Sequence, residues 1–103
     1  MNGQNFCFNG YLPIDKSERK STIKTLEKNS QEKQQAQIFI ETPYRNDKML
    51  ADLISILHPT TRLCIASDIT LTTEHISTKT IEQWKNKNIV LHKRPTIFII
   101  QKD

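Results

Sequence analysis

The sequence predicts an α/β fold: a single α/β sandwich domain with a mixed sheet of about five strands and about three helices. Three observations predict it. Short apolar runs and helix-periodic segments alternate in the order β-α-β-α-β-β-α-β. Met49, Leu50, Leu53, Ile54, Ile56 and Leu57 follow the 3.6-residue helical spacing closely. Arg62 to Ala66 has an all-apolar centre, the pattern of a strand covered on both faces.

Taken in order, residues 5–9 form a short strand and Gly10 to Pro13 a turn or loop. Asp15 and Glu18 have capping-box spacing, with Asp in place of the usual Ser or Thr. The helix they start runs from about Lys16 to Asn29 and buries Ile23 and Leu26 on a narrow face. Residues 29–35 hold no apolar side chain and read as an exposed helix end and loop. Ala36 to Glu41 is the second strand. Asn46 or Asp47 caps the second helix, which ends at His58-Pro59 because proline disfavours helix in the residue before it. Residues 67–77 are rich in Thr and suit a fourth, half-exposed strand. Thr78 to Asn86 fits a short helix with Ile81 and Trp84 three apart. Pro95 opens the last strand, Thr96 to Ile100.

With 103 residues the chain has room for one modest core, so 1–103 reads as one domain. Hydrophobic residues make up 36% and charged residues 25%, a globular composition on the polar side. The formal net charge of +4 permits a nucleic-acid partner without requiring one. Much of the charge alternates in sign between Lys16 and Lys33, as on a solvated helix face. Cys7 and Cys64 sit apart inside apolar runs and read as buried free thiols in a reducing compartment. No apolar run approaches the roughly 20 residues that cross a bilayer, and no signal peptide is visible. A cytoplasmic protein with no membrane partner is expected. Two glycines, Gly3 and Gly10, cannot build a glycine-rich phosphate cradle, and no metal-ligand or catalytic-triad spacing appears. The loop-like start, Asn2-Gly3-Gln4-Asn5, reads as though the chain were cut from something longer.

Chemistry in α/β folds gathers at the carboxyl ends of strands. Three such ends hold polar or special residues. Gly10-Tyr11-Leu12-Pro13 reads as a ligand-facing turn where Gly10 permits close approach, or as a plain turn with Tyr11 and Leu12 packed under the helix. In Glu41-Thr42-Pro43-Tyr44-Arg45, Arg45 could clamp a phosphate or carboxylate with Glu41 orienting it. Alternatively Glu41 pairs with Arg45 or satisfies N–H groups at the helix start. In Ser67-Asp68-Ile69-Thr70, Asp68 faces a ligand or caps a turn. His58 reads as a helix terminator. Lys93 and Arg94 form a basic loop before the last strand, and Trp84 reads as a core or interface residue.

These segments, taken in order with Arg19 and the Leu50-to-Leu57 helix leading to Arg62, resemble the C-terminal half of class III S-adenosylmethionine-dependent methyltransferases, the tetrapyrrole methylase superfamily. The resemblance spans nearly the whole chain. It is nearest to the branch that methylates ribose 2′-hydroxyls of cytidine in small-subunit ribosomal RNA. That branch typically shows F-x-G-F-L-P, E-S-P-H-R and R-E-L-T-K. Here the first stands as Phe8-Asn9-Gly10-Tyr11-Leu12-Pro13 and the second as Glu41-Thr42-Pro43-Tyr44-Arg45. The third stands as Ser67-Asp68-Ile69-Thr70-Leu71, which keeps the Thr but lacks the leading Arg and the Lys.

The resemblance implies S-adenosylmethionine as cofactor, bound in a cleft between this domain and an N-terminal methyltransferase domain that the sequence does not contain. It implies that Gly10, Tyr11, Leu12, Pro13, Asp68 and Thr70 line the cofactor side. Glu41, Pro43, Tyr44 and Arg45 would face the acceptor. It assigns no general base. It further implies ribosomal RNA as partner, a homodimer, and an isolated chain without activity. A tetrapyrrole methyltransferase domain is the alternative within the superfamily. A non-catalytic basic module docking RNA or protein through Arg45, Lys93 and Arg94 is the alternative outside it.

Overall fold

The computed structural model describes residues 5–103; Asn2-Gly3-Gln4 of the expected N-terminal loop lies outside them. Strands β1 (Phe6–Tyr11), β2 (Ala36–Ile40), β3 (Arg62–Ser67), β4 (His75–Thr80) and β5 (Thr96–Gln101) alternate with helices α1 (Lys16–Lys33), α2 (Asn46–Ile56) and α3 (Ile81–Trp84). They form one mixed sheet in the order β1-β2-β5-β3-β4. Only β1 and β2 pair in parallel; the other three pairings are antiparallel. The last strand therefore slots into the middle of the sheet. β1, β2 and β3 point the same way, and their carboxyl ends share one edge with the starts of β4 and β5.

Each helix buries a stripe against the same sheet face. On α1 the stripe is Arg19, Ile23, Leu26 and Ser30, and on α2 it is Asn46, Met49, Leu50 and Leu53. They meet Phe39, Leu63, Ile65, Phe98 and Ile100 in one cluster with Ile81, Trp84 and Leu91. Phe39 and Phe98 stack at 5.8 Å between ring centres across the β2–β5 pairing. Trp84 is buried and donates its indole N–H to the Leu63 carbonyl at 2.8 Å, as a core residue must.

The opposite sheet face carries no helix among the described residues. Phe8, Ile38, Ile99, Cys64 and Thr78 stand side by side across all five strands. Tyr11, Ile40, Ile97, Ala66 and Ile76 form a second such row. The expectation that β3 is covered on both faces thus holds in burial but not in cause. Cys64 and Ala66 are buried because their small side chains sit between larger neighbours, not beneath a second layer. Cys64 is a buried free thiol, while Cys7 is only half-buried.

Four local expectations change. Helix α1 runs on to Lys33, closing on Gln34 in the left-handed region (φ 52°), so most of 29–35 is helix. The Thr-rich segment is a turn first, with β4 starting only at His75 and running to Thr80. Helix α3 is shorter than expected and starts at a reciprocal capping box between Thr80 and Gln83. Neither Asn46 nor Asp47 caps α2, because a 3-10 turn over Pro43–Arg45 leads straight into the helix. Asp15 does cap α1, accepting from the Glu18 amide at 3.0 Å.

Leu53 is fully buried where α2 meets the sheet. Leu53→Ala is expected to lower unfolding free energy by about 3 kcal/mol in urea titration, against less than about 0.5 kcal/mol for exposed Ser55→Ala.

Candidate functional site

All three segments singled out in the sequence lie along the shared edge, and buried polar groups lock them together. Arg19, on the first turn of α1, is almost fully buried. Its Nε donates to the Pro13 carbonyl at 2.9 Å, Nη1 reaches Asp52 at 3.3 Å, and Nη2 pairs with Glu41. One guanidinium thus ties the Gly10–Pro13 loop to the end of β2 and to α2. Arg19 was not among the expected site residues. The signal was present, since Arg19 precedes Ile23 by one helical turn on the apolar stripe.

Glu41 is buried and its carboxylate is fully engaged. One oxygen meets Arg19; the other accepts from the Thr42 amide at 2.7 Å and lies 3.6 Å from Arg45 Nε. The readings of Glu41 as a partner of Arg45 and as an acceptor for a backbone N–H hold at once. Arg45 keeps 41% of its side chain exposed and also donates to the Thr42 hydroxyl. Tyr44 is 70% exposed and meets His92 edge-on at 5.7 Å. Pro43 holds the turn, and its carbonyl accepts from the Lys93 amide at 3.1 Å.

The loop before β5 is fastened by the two residues expected to cap α2. Asn46 Nδ2 donates to the carbonyls of Leu91 and Arg94, and Asp47 accepts from the Leu91 amide at 2.7 Å. Asn46 continues the apolar stripe of α2, which is why it turns inward. The same loop then reaches the third segment. Arg94 pairs with Asp68 at 2.9 Å and donates to the Thr73 carbonyl, while the Thr73 hydroxyl donates to Asp68. Asp68 is therefore a turn cap. The Thr73 hydroxyl, and after it Arg94, hold its carboxyl below the ordinary value.

The Gly10–Pro13 segment, expected as a turn or loop, divides: Gly10 and Tyr11 are the last residues of β1. Leu12 enters the core. Tyr11 is 65% exposed on the uncovered sheet face, not packed under α1 as one reading had it. Gly10 adopts φ +67°, and a Cβ there would meet nothing within 4 Å. Glycine serves the backbone angle, and no other part of the chain fills the space beside it. Thr70, exposed at φ 72°, donates its amide N–H to the Glu74 carboxylate at 2.9 Å. Asp68, Thr70 and Lys93 are all non-glycine residues at positive φ along this edge, and such backbone strain tends to collect at functional sites.

A cavity of about 650 Å³ lies off this row of loops, between β4, α3 and the segment after it. Thr73, Glu74 and Arg94 connect it to the edge; Lys79, Trp84 and Lys87 line its far side. Lys79 caps the Trp84 ring at 4.8 Å. The candidate loops themselves form a surface on which Arg45, Tyr44 and Lys93 remain presentable. Arg94, expected as a free cation, is committed to Asp68. Among the described residues no three His, Cys, Asp or Glu side chains converge as metal ligands, and no helix is long and apolar enough to cross a membrane.

No protein-family model matches the chain, and no curated protein matches its sequence. Solved structures do match its fold. The chain is similar to the crystal structure of the methyltransferase CobJ, at 16% identity and TM-score 0.56, over 97% of this chain and 42% of that one. It is also similar to uroporphyrin-III C-methyltransferase from Thermus thermophilus complexed with S-adenosyl homocysteine. There the identity is 8% and the TM-score 0.54, over 99% of this chain and 44% of that one. The chain thus spans less than half of either structure, and at these identities the likeness is one of fold.

Two measurements follow. Arg19→Met leaves the Glu41 carboxylate buried without its main partner and should cost about 3 kcal/mol in urea unfolding. Arg19→Met with Glu41→Leu should cost less than the sum of the single changes, because neither charge is then stranded. Second, the folded-state pKa of Asp68 is lowered, so its contribution to stability is full above the unfolded value near 3.8 and is lost as pH falls through the folded one. Asp68→Asn should flatten that acid limb in thermal melts as pH falls below 3.8.

Proposed function

We propose that this chain is the C-terminal, cleft-forming domain of an S-adenosylmethionine-dependent methyltransferase of the class III superfamily. The observation that supports it most is the joining of the two sequence motifs, Gly10–Pro13 and Glu41–Arg45, by buried Arg19 on one sheet edge. The fold shared with two methyltransferase structures, one of them holding S-adenosyl homocysteine, supports the same reading. The open space beside Gly10 fits one wall of a cofactor cleft, the other wall belonging to an N-terminal companion domain. Pro13, held through its carbonyl, stiffens that wall. Asp68 acts from behind, shaping the turn that presents Thr70.

S-adenosylmethionine supplies an electrophilic methyl group on a sulfonium. The protein's task is to hold the acceptor oxygen in line with it. Arg45 contacts a phosphate or other anion of the acceptor, and buried Glu41 fixes the guanidinium through the Thr42 turn. The acceptor we propose is a ribose 2′-hydroxyl of ribosomal RNA. Exposed Tyr44 offers a stacking face beside two presentable cations, Arg45 and Lys93, which is the pairing that single-stranded RNA favours. The protein works in the cytoplasm, and this domain alone is inactive.

In a protein uniting this domain with its companion, Arg45→Ala should lower kcat/KM for a small-subunit ribosomal RNA acceptor by about 100-fold and leave cofactor affinity unchanged. An undiminished rate would overturn the role of Arg45, and transfer only to a tetrapyrrole would overturn the RNA acceptor. Calorimetric titration of this chain alone with S-adenosyl homocysteine should show no saturation below about 1 mM, weaker than about −4 kcal/mol. Tight binding by the chain alone contradicts the divided cleft.

A further inference from the structure

The helix layer is incomplete over β4. In the β3–β4 register His75, Ser77 and Lys79 stand opposite Ser67, Ile65 and Leu63, and Ile65 and Leu63 belong to the core cluster. Cross-strand partners share a sheet face, so these three polar side chains occupy the helix-covered side. The helix that follows them, α3, has only four residues. The cavity of about 650 Å³ lies in the gap this leaves, within the roughly 300–1,000 Å³ of small-molecule sites. A gap in a core is lined by apolar side chains, whereas this one has a polar floor that includes His75 and Lys79.

The lining is also positive. Lys79, Lys87 and Arg94 share it with one carboxylate, Glu74. Arg94 is paired with Asp68, and Glu74 accepts from the Thr70 amide. Lys79 and Lys87 have no carboxylate partner among the described residues. A lysine without such a partner is ordinarily loose, but Lys79 is held. Its ammonium donates to the Ser77 hydroxyl and rests 4.8 Å from the centre of the Trp84 ring. Both partners are neutral, so the cation is fixed at the cavity wall with its charge uncompensated.

We propose that this groove binds a small phosphomonoester. Its two unpaired ammonium groups match the charge of such a phosphate, about −2 near pH 7, and the phosphate's terminal oxygens accept their N–H groups. A carboxylate, or one phosphodiester of a nucleic-acid strand, brings a single charge and leaves one ammonium uncompensated. Ile89 and Trp84 also line the cavity and give the organic part of the ligand an apolar wall. The site uses none of the residues assigned to the cofactor or the acceptor, so it stands or falls apart from the methyl-transfer reading.

The test titrates phenyl phosphate into the whole chain and follows the backbone amides by NMR. Saturable shifts should gather at residues 74–79 and 84–89, with a Kd of about 1 mM or below. Phenol, which lacks the phosphate, should bind at least about tenfold more weakly. Lys87 is exposed, so Lys87→Gln keeps the fold and should weaken phenyl phosphate about tenfold, the worth of one charge-assisted hydrogen bond. Lys79→Gln should do the same. Lys24→Gln removes the same charge from the exposed side of α1 and should change nothing. Three results overturn the proposal: no saturation by phenyl phosphate, equal weakening by Lys24→Gln and Lys87→Gln, or displacement of the probe by a single-stranded oligoribonucleotide without terminal phosphates. The last would make the groove a nucleic-acid site instead.

Discussion

The buried pair of Arg19 and Glu41 is the constraint on which the candidate site depends. Neither charge is stable inside a protein alone. Each is therefore bound to the other's position, and the remaining donors and acceptors must find partners nearby. Arg19 uses them on Pro13 and Asp52, and Glu41 uses them on Thr42 and Arg45. The segments ending at Pro13 and beginning at Glu41, about a quarter of the 103-residue chain apart, are thereby held at one spacing. A hydrophobic pair could supply as much stability, but it could not also satisfy the Pro13 carbonyl and the Thr42 amide.

A second polar clamp repeats the device on the other side of the edge. Asn46 and Asp47 hold the loop before β5, and Arg94 from that loop holds Asp68. In both clamps a polar residue occupies a place on an otherwise apolar helical stripe. Stripes of this kind were legible in the sequence, and they located α2 and the core face of α1 correctly. Their polar members were passed over because a charged or amide side chain is usually solvated, and only tertiary packing decides otherwise. The turn at 68–74 was hidden for a related reason. Threonine favours strands by its shape, while the Asp68–Thr73–Arg94 contacts that bend the chain there come from residues far apart in sequence.

The strand order was the least legible part of the fold. Alternating elements announce an α/β domain, but nothing local tells β5 to enter between β2 and β3. Its Thr96-to-Ile100 run is apolar on both faces, as a central strand requires, and that is the trace this placement left. The same alternation of elements concealed the uncovered sheet face, since a run such as Phe39-Ile40 reads alike whether one side meets a helix or nothing. Fold alone does not select a substrate. What narrows the functional reading is that the charged and aromatic groups left presentable, Arg45, Tyr44 and Lys93, stand on the edge that the two clamps build.

The most direct test of that account is hydrogen exchange of the backbone amides in the wild-type chain and in Arg19→Met. If the Arg19–Glu41 pair couples the loops, amides in 10–15 and 41–45 should lose protection together, while those of Phe98 and Ile100 in the central strand keep theirs. Loss confined to one loop, or protection unchanged in both, would contradict it.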